Sequence, residues 1–121
     1  MKLTKGQAQI LADRPTDCIA EALCNEYDWD HDEIELKASN LISGLECQAK
    51  PELPDELDEQ QLTILEDAIT GNTIMARAQD SIDGEDYTSQ QYASLCRSLK
   101  TLIKKLKTLG CEIEDSWEHY Y

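Results

Sequence analysis

The sequence predicts an all-α protein, a small bundle of four to five helices followed by a short acidic and aromatic C-terminal tail. Apolar residues recur at helical period in several segments. Polar residues suited to helix N-termini precede these segments. No run of five or more residues alternates between apolar and polar as a strand would. The 121 residues suit one domain at roughly 150 residues per domain, so we expect 1–121 to form a single acidic helical domain.

The first half of the chain predicts three helical segments. Thr4 is expected to cap a helix over KGQAQILAD, and Pro15 interrupts the pattern before TDCIAEALCNEY resumes it, giving two short helices or one kinked helix. Asp30 and Glu33 have the spacing of a capping box. The helix after them carries one apolar stripe, formed by Ile34, Ala38, Leu41, Ile42 and Leu45.

The second half begins with a loop, KPELPDE, because its two prolines disfavour helical geometry in the residues before them. A further amphipathic helix is predicted from about Asp58. Gly71-Asn72 either ends this helix or marks a close packing point, and the pattern leaves both open. The polar stretch DSIDGEDY predicts a second connection.

The last helix is predicted to span about 21 residues, from a capping box of Thr88 with Gln91 to Gly110. Its wide apolar face predicts a central place in the bundle, with a short coiled-coil seam as the alternative. That face comprises Tyr92, Leu95, Cys96, Leu99, Leu102, Ile103, Leu106 and Leu109. The tail, 111–121, is compatible with a strand, a helical turn or a mobile end.

Charge is the strongest compositional signal. The formal net charge is −14; residues 1–96 carry 21 acids and 6 bases, whereas residues 97–121 carry four acids and five bases. The five bases after residue 96 all lie on the last helix. They are expected either to form a solvent-exposed face or to pair with acidic helices of the same molecule. Because the whole chain would repel nucleic acids and anionic membranes, we expect direct binding to neither, and a cationic partner.

The cysteines predict a reducing compartment. There are five of them, an odd number, with no C-x-x-C pair, which is unlike a disulfide framework or a zinc knuckle. The N-terminal sequence has no apolar region of signal-peptide length. We therefore expect a cytoplasmic protein whose thiols are reduced and are mostly small core residues.

Motifs for catalysis or metal binding do not match. Asp28-x-Asp30-x-Asp32 begins like an EF-hand loop, but Glu33 stands at the position of the turn glycine and Ser39 at that of the bidentate acid. His31 and His119 are expected to be surface residues. No phosphate-binding loop, nucleophile elbow or zinc-protease motif occurs. These observations predict a non-enzyme without metal or cofactor.

The acidic surplus suggests a function. A DNA segment of ~35 Å carries about 20 phosphates, which is of the order of the acid count. The chain is therefore predicted to inhibit or occlude a basic nucleic-acid-handling protein or nucleoprotein effector, as a DNA mimic of the kind phages use against restriction or CRISPR defence. The candidate partner-binding residues are Asp28, Asp30, Asp32, Glu33, Glu35, Asp55, Glu56, Asp58, Glu59, Asp83, Glu85, Asp86 and Trp117.

Alternatives stay open at this point. Trp117 is a candidate because Trp and Tyr are enriched at interface hot spots, but it is equally suited to folding back onto the bundle. An immunity protein or antitoxin that neutralises a basic toxin has the same size and charge. A structural or assembly subunit that pairs through the last helix is a third class, and the pattern allows a monomer or a homodimer.

Overall fold

The computed structural model describes residues 1–70 and 89–113 of the chain. Within them lie five α-helices and one 3-10 turn at Leu45–Cys47. The helices are α1 (Lys5–Ala12), α2 (Thr16–Tyr27), α3 (His31–Ile42), α4 (Glu59–Thr70) and α5 (Ser89–Leu109). These residues contain no strand, only one isolated antiparallel bridge between Lys2 and Glu52. The all-α prediction is confirmed.

The N-terminal caps lie where local sequence places them. Thr4 Oγ1 accepts a hydrogen bond from the Gln7 backbone at 3.2 Å, and the Thr4 backbone donates to Gln7 Oε1 at 2.9 Å, which completes a capping box. Pro15 precedes α2, so the first segment forms two separate helices. Asp30 Oδ2 accepts from the Glu33 backbone at 3.0 Å, which is the Asp30 half of the predicted box.

The start of α4 has a capping box that the sequence analysis did not identify. Asp58 Oδ1 accepts from the Gln61 backbone at 2.8 Å, and the Asp58 backbone donates to Gln61 Oε1 at 2.9 Å. The pair satisfies two backbone donors that the first turn would otherwise leave without partners. Asp58 therefore has a role in the fold as well as in the surface charge.

The end of α5 follows the glycine pattern. Gly110 adopts a φ of +110°. The Cys111 backbone donates to the Leu106 carbonyl at 3.1 Å and the Gly110 backbone to the Lys107 carbonyl at 3.2 Å, the two hydrogen bonds of a Schellman motif. Cys111 and Ile113 are buried, so the first part of the predicted tail belongs to the core rather than to a mobile end. Residues 114–121, the Thr88 cap and the Gly71 break lie outside the described residues.

The shortest described helix, α1, is at the centre of the bundle. It packs against α3, α4, α5 and the 3-10 turn, and Ala8, Ile10 and Leu11 are fully buried. Within the described residues α5 packs mainly on α1, and its predicted apolar face is buried at Leu99, Leu102 and Leu106. Small residues allow α1 and α5 to approach closely, since a Cβ on Gly6 would lie 2.5 Å from Ser98 Oγ.

A buried polar network joins α1 to α5. Gln7 is 1% exposed, and its Nε2 donates to Thr101 Oγ1 at 2.8 Å. Lys105 Nζ donates to Gln7 Oε1 at 2.8 Å and to the Lys2 carbonyl at 3.0 Å. The bases after residue 96 were expected to form a solvent-exposed face or to pair with acidic helices. Lys105 does neither. Its bonds to neutral oxygens set the register of the two helices, and charge-assisted hydrogen bonds are stronger than neutral ones.

The five thiols are free, but they are not mostly core residues. Cys96 and Cys111 are buried and Cys24 is half-buried, whereas Cys18 and Cys47 are exposed. That expectation is wrong because Cys18 lies outside the buried stripe of α2 and Cys47 lies in the surface 3-10 turn. Burial, and after it the charge of Glu66, raises the pKa of the Cys111 thiol to about 12. This thiol stays protonated at neutral pH and is a poor nucleophile.

No helix in 1–70 or 89–113 combines the length and the apolar character needed to cross a membrane.

Core packing predicts a contrast between two leucines. Leu99→Ala should lower the free energy of unfolding by about 2–5 kcal/mol, because Leu99 is fully buried and its removal leaves a cavity. Leu36→Ala is the matched control, since Leu36 is 63% exposed and should change stability by about 0.5 kcal/mol or less. Urea unfolding followed by circular dichroism measures both. Equal losses would contradict the described core.

The buried network predicts a second contrast, between two glutamines of α1. Gln7→Leu should cost about 1–3 kcal/mol, because it leaves the Lys105 ammonium without its side-chain acceptor and removes the reciprocal bond of the Thr4 cap. Gln9→Leu, on the exposed face of the same helix, should leave stability nearly unchanged. The same unfolding experiment checks this, and a Gln7→Leu protein as stable as Gln9→Leu would rule the network out as a stabilising contact.

Candidate partner-binding surface

The turn between α2 and α3 exposes two carboxylates on either side of an aromatic residue. α2 ends at Tyr27, and Asp28 takes the left-handed conformation with a φ of +59°, which short polar residues tolerate. Trp29 follows, and Asp30 caps α3. The chain reverses within three residues, so α2 and α3 pack against each other as a helical hairpin. Asp28 and Asp30 are both exposed at its tip.

The first turn of α3 adds further acids. Asp32 and Glu33 are exposed, and Glu35 is half-buried. Anions here are favourable because they lie at the positive end of the helix dipole. Within the predicted cluster, Asp30 thus has a structural role as a cap, whereas Asp28 and Glu33 form no ion pair with any residue in the described part of the chain.

His31 lies beside two of these acids. Its Nδ1 is 3.7 Å from Asp32 Oδ1 and 3.7 Å from Glu35 Oε2, and ligand atoms of the three side chains lie within 4.8 Å of one another. They are close enough to share a cation. All three are solvent-accessible, however, and the positive end of α3 disfavours a cation there. We assign no metal site to them.

The second predicted cluster lies at the start of α4. Asp55 Oδ1 accepts a hydrogen bond from the Met1 ammonium at 2.7 Å, which together with the charge of that group lowers the pKa of Asp55. The pKa of Asp58 is also lowered, first by the hydrogen bond from the Gln61 backbone and then by Lys37, whose Nζ is 3.3 Å from Asp58 Oδ2. Glu56 and Glu59 are exposed.

The two clusters lie on neighbouring elements. Lys37 of α3 reaches Asp58 at the start of α4, and α4 packs against both α2 and α3. The pKa of Tyr27, at the end of α2, is raised by nearby acids and by burial. The largest cause is the Glu26 carboxylate, followed by burial and then by Glu66, with a smaller contribution from Glu59. Acids of α2 and α4 therefore act together on the tip of the α2–α3 hairpin.

Sequence reasoning missed Glu26 and Glu66, since neither stands in a run of acids. The available signal was spacing, because Glu59 and Glu66 are seven residues apart and so share one face of α4 over two turns. Asp67 beside them pairs with Arg14 at 2.9 Å. Its pKa is nevertheless raised, because burial outweighs the Arg14 charge, and Glu26 adds to the shift.

The aromatic residues at the hairpin tip form a stack. The ring centroids of Tyr27 and Trp29 are 4.6 Å apart, with an angle of 19° between the ring planes. Trp29 is partly buried against the core, whereas Tyr27 is 46% exposed. The sequence analysis placed its aromatic anchor at Trp117, which lies outside the described residues, as do Asp83, Glu85 and Asp86.

A cleft of about 510 Å³ adjoins the second cluster, between α3, the 3-10 turn and the loop before α4. Its two cationic groups, the Met1 ammonium and Lys37, are already paired with Asp55 and Asp58. Neither of these cationic groups of the cleft is therefore left unpaired for an anionic ligand.

Three comparisons were made, with protein-family models, with curated proteins and with solved structures. None of them finds a match for this chain.

The cap of α4 predicts a pH-dependent stability effect. Asp58→Ala should lower the free energy of unfolding at neutral pH by about 1 kcal/mol, because it removes the cap acceptor, whereas Asp58→Asn keeps an acceptor and should cost less. Since the folded protein lowers the pKa of Asp58, the stabilisation by its charge is present above the ordinary carboxyl pKa and is lost as pH falls through the folded value.

The measurement is urea unfolding of wild type, Asp58→Ala and Asp58→Asn at pH 7 and at pH 3. The difference between wild type and Asp58→Asn should shrink at pH 3. A difference that stays constant between the two pH values would mean that the charge of Asp58 does not stabilise the fold.

Proposed function

We propose that this protein is a non-enzymatic binding protein that occludes the nucleic-acid-binding groove of a basic protein or nucleoprotein effector. The supporting observation is that acids distant in sequence lie around one helical hairpin and the helix packed beside it. We call this the acidic surface, and its exposed or half-buried members are Glu26, Asp28, Asp30, Asp32, Glu33, Glu35, Glu59 and Glu66.

The fold does not account for all of these charges. Asp30 caps a helix, but Asp28, Glu33 and Glu59 form no ion pair with any residue of 1–70 or 89–113. Uncompensated like charges repel one another and destabilise a compact protein. A cationic groove would relieve that repulsion, because Arg and Lys side chains pair with carboxylates as they do with phosphates.

Helical hairpins suit this role because they hold carboxylates in a fixed array before the partner arrives. A pre-organised surface loses less conformational entropy on binding than a disordered acidic tail. We expect the protein to act in the cytoplasm, a reducing compartment where thiols as exposed as Cys18 and Cys47 stay free.

The two other functional classes that the sequence suggests, a toxin-neutralising protein and an assembly subunit, have less specific support. A basic toxin would present the same cationic chemistry, so an immunity protein or antitoxin would use the same acidic surface, and the partner recovered decides between them. An assembly subunit that pairs through the last helix would need a free apolar seam. Leu99, Leu102 and Leu106 are fully buried within a single chain.

The first experiment is recovery of the partner. The tagged protein is incubated with host lysate and washed at low and at high salt, and the bound proteins are identified by mass spectrometry. The proposal expects a nucleic-acid-binding protein that is lost at high salt, and then displacement of labelled DNA or RNA from that protein by increasing amounts of this one. A partner that binds both at once would contradict occlusion.

Neutralisation of the hairpin acids tests the surface itself. The variant with Asp28→Asn, Asp30→Asn and Asp32→Asn should raise the Kd for the partner about tenfold at low salt, because three exposed charge pairs contribute roughly 0.5 kcal/mol each. Asparagine keeps the cap at position 30. The effect should diminish at high salt.

The matched control changes the same number of charges elsewhere. The variant carries Asp17→Asn, Glu21→Gln and Glu46→Gln, at exposed positions in the first half of α2 and in the 3-10 turn. This triple variant should weaken binding less than the hairpin variant does. If the two variants weaken it equally, binding depends on net charge alone and the hairpin is not the contact.

A further inference from the structure

The stacked pair at the tip of the hairpin exposes an aromatic surface through Tyr27. Tyr27 and Leu36 are the two large hydrophobic residues that stand exposed in the described part of the chain. Leu36 is a single aliphatic side chain, whereas Tyr27 has one ring face against Trp29 and is 46% exposed. Trp29 holds the pair in place because it packs against the core.

Carboxylates surround this ring pair. Asp28 and Asp30 flank Trp29 in the chain, and Glu26, Glu59 and Glu66 act on the Tyr27 hydroxyl, where they help to raise its pKa. The face of an aromatic ring already carries the negative lobe of its quadrupole. The field of the acids adds to it, so the exposed ring is suited to a cation and disfavours a phosphate group or an uncharged apolar side chain.

We infer that Tyr27 and Trp29 form a docking site for an arginine side chain of the basic partner. The guanidinium group is planar and weakly hydrated; it stacks on aromatic rings and donates in pairs to carboxylates. The hairpin offers both an aromatic ring for stacking and carboxylates that accept these hydrogen bonds. A lysine ammonium would gain the charge interaction but is more strongly hydrated and lacks the planar stacking face.

This inference rests on the proposed function, in which the partner is basic, and it adds which cation is preferred. Charge alone treats arginine and lysine nearly alike. A preference for arginine that depends on the Tyr27 ring is therefore the property that separates the docking site from the general acidic surface.

The experiment uses two labelled probes, a hexa-arginine and a hexa-lysine peptide, titrated with the full chain while fluorescence anisotropy is recorded. The wild-type protein should bind hexa-arginine about two- to fivefold more tightly than hexa-lysine, the ratio expected for one exposed cation–π contact. Tyr27→Leu should reduce that preference, because it removes the stacking face and leaves the carboxylates, and hexa-lysine affinity should stay within error. Tyr27→Phe keeps the ring and should keep the preference.

Tryptophan fluorescence tests separately whether the peptide binds at the Tyr27–Trp29 stack. The chain has two tryptophans, so Trp117→Phe leaves Trp29 as the sole emitter. Hexa-arginine should change the Trp29 emission more than hexa-lysine does at equal occupancy. Circular dichroism of each variant checks that the substitution has not reduced the helix content.

The outcomes separate the two proposals. Equal binding of the two peptides by wild type, or an arginine preference that Tyr27→Leu leaves undiminished, overturns the docking site. The acidic surface stands in that case if the triple asparagine variant at positions 28, 30 and 32 weakens both peptides more than its charge-matched control does. If that variant and its control weaken both peptides equally, the proposed contact surface fails as well.

Discussion

The contact between α1 and α5 is the constraint on which the rest of the described structure depends. It joins residues almost a hundred positions apart through the Gln7–Thr101 and Gln7–Lys105 hydrogen bonds and through the close approach of Gly6 to Ser98. The buried Gln7 amide is costly unless its polar atoms find partners, so the two helices have one favourable register. α1, held in this way, provides the surface on which α3, α4 and the 3-10 turn pack. Backbone hydrogen bonds between Met1–Leu3 and Pro51–Leu53 hold the start of the chain against the loop before α4.

The acids of this protein divide into two groups by what they contact. Asp30 and Asp58 cap helices, and Asp55 and Asp67 pair with the N-terminal ammonium and with Arg14. These charges stabilise the fold that displays the others. Asp28, Glu33 and Glu59 have no such role among the described residues. Asp28 lies between Tyr27 and Trp29 in the chain, and Glu59 acts on Tyr27. In the proposed function the second group makes the hairpin tip a surface for a cationic partner, whose charge would relieve the repulsion among these acids.

The candidate surface was only partly accessible to sequence reasoning. Runs of acids such as 28–35 and 55–59 stand out in the chain, and both lie on the described surface. Glu26 and Glu66 do not stand out, because they lie on different helices outside the long runs of acids, and Glu66 comes to act on Tyr27 only when α2 packs on α4. The aromatic pair was missed for another reason: Tyr27 and Trp29 are two residues apart, and only the left-handed turn at Asp28 brings the rings face to face.

The helices themselves could be read from the chain. The caps at Thr4 and Asp30, the break at Pro15 and the glycine ending at Gly110 are interactions between residues one to five apart, which local sequence specifies completely. The net charge follows from composition alone. Tertiary structure decided the central position of α1, the burial of Cys111 and Ile113, the binding of Lys105 to neutral oxygens and the meeting of the two acid clusters. Each of these depends on how helices pack across long sequence separations, and a periodic pattern gives the buried face of a helix without naming the helix that covers it.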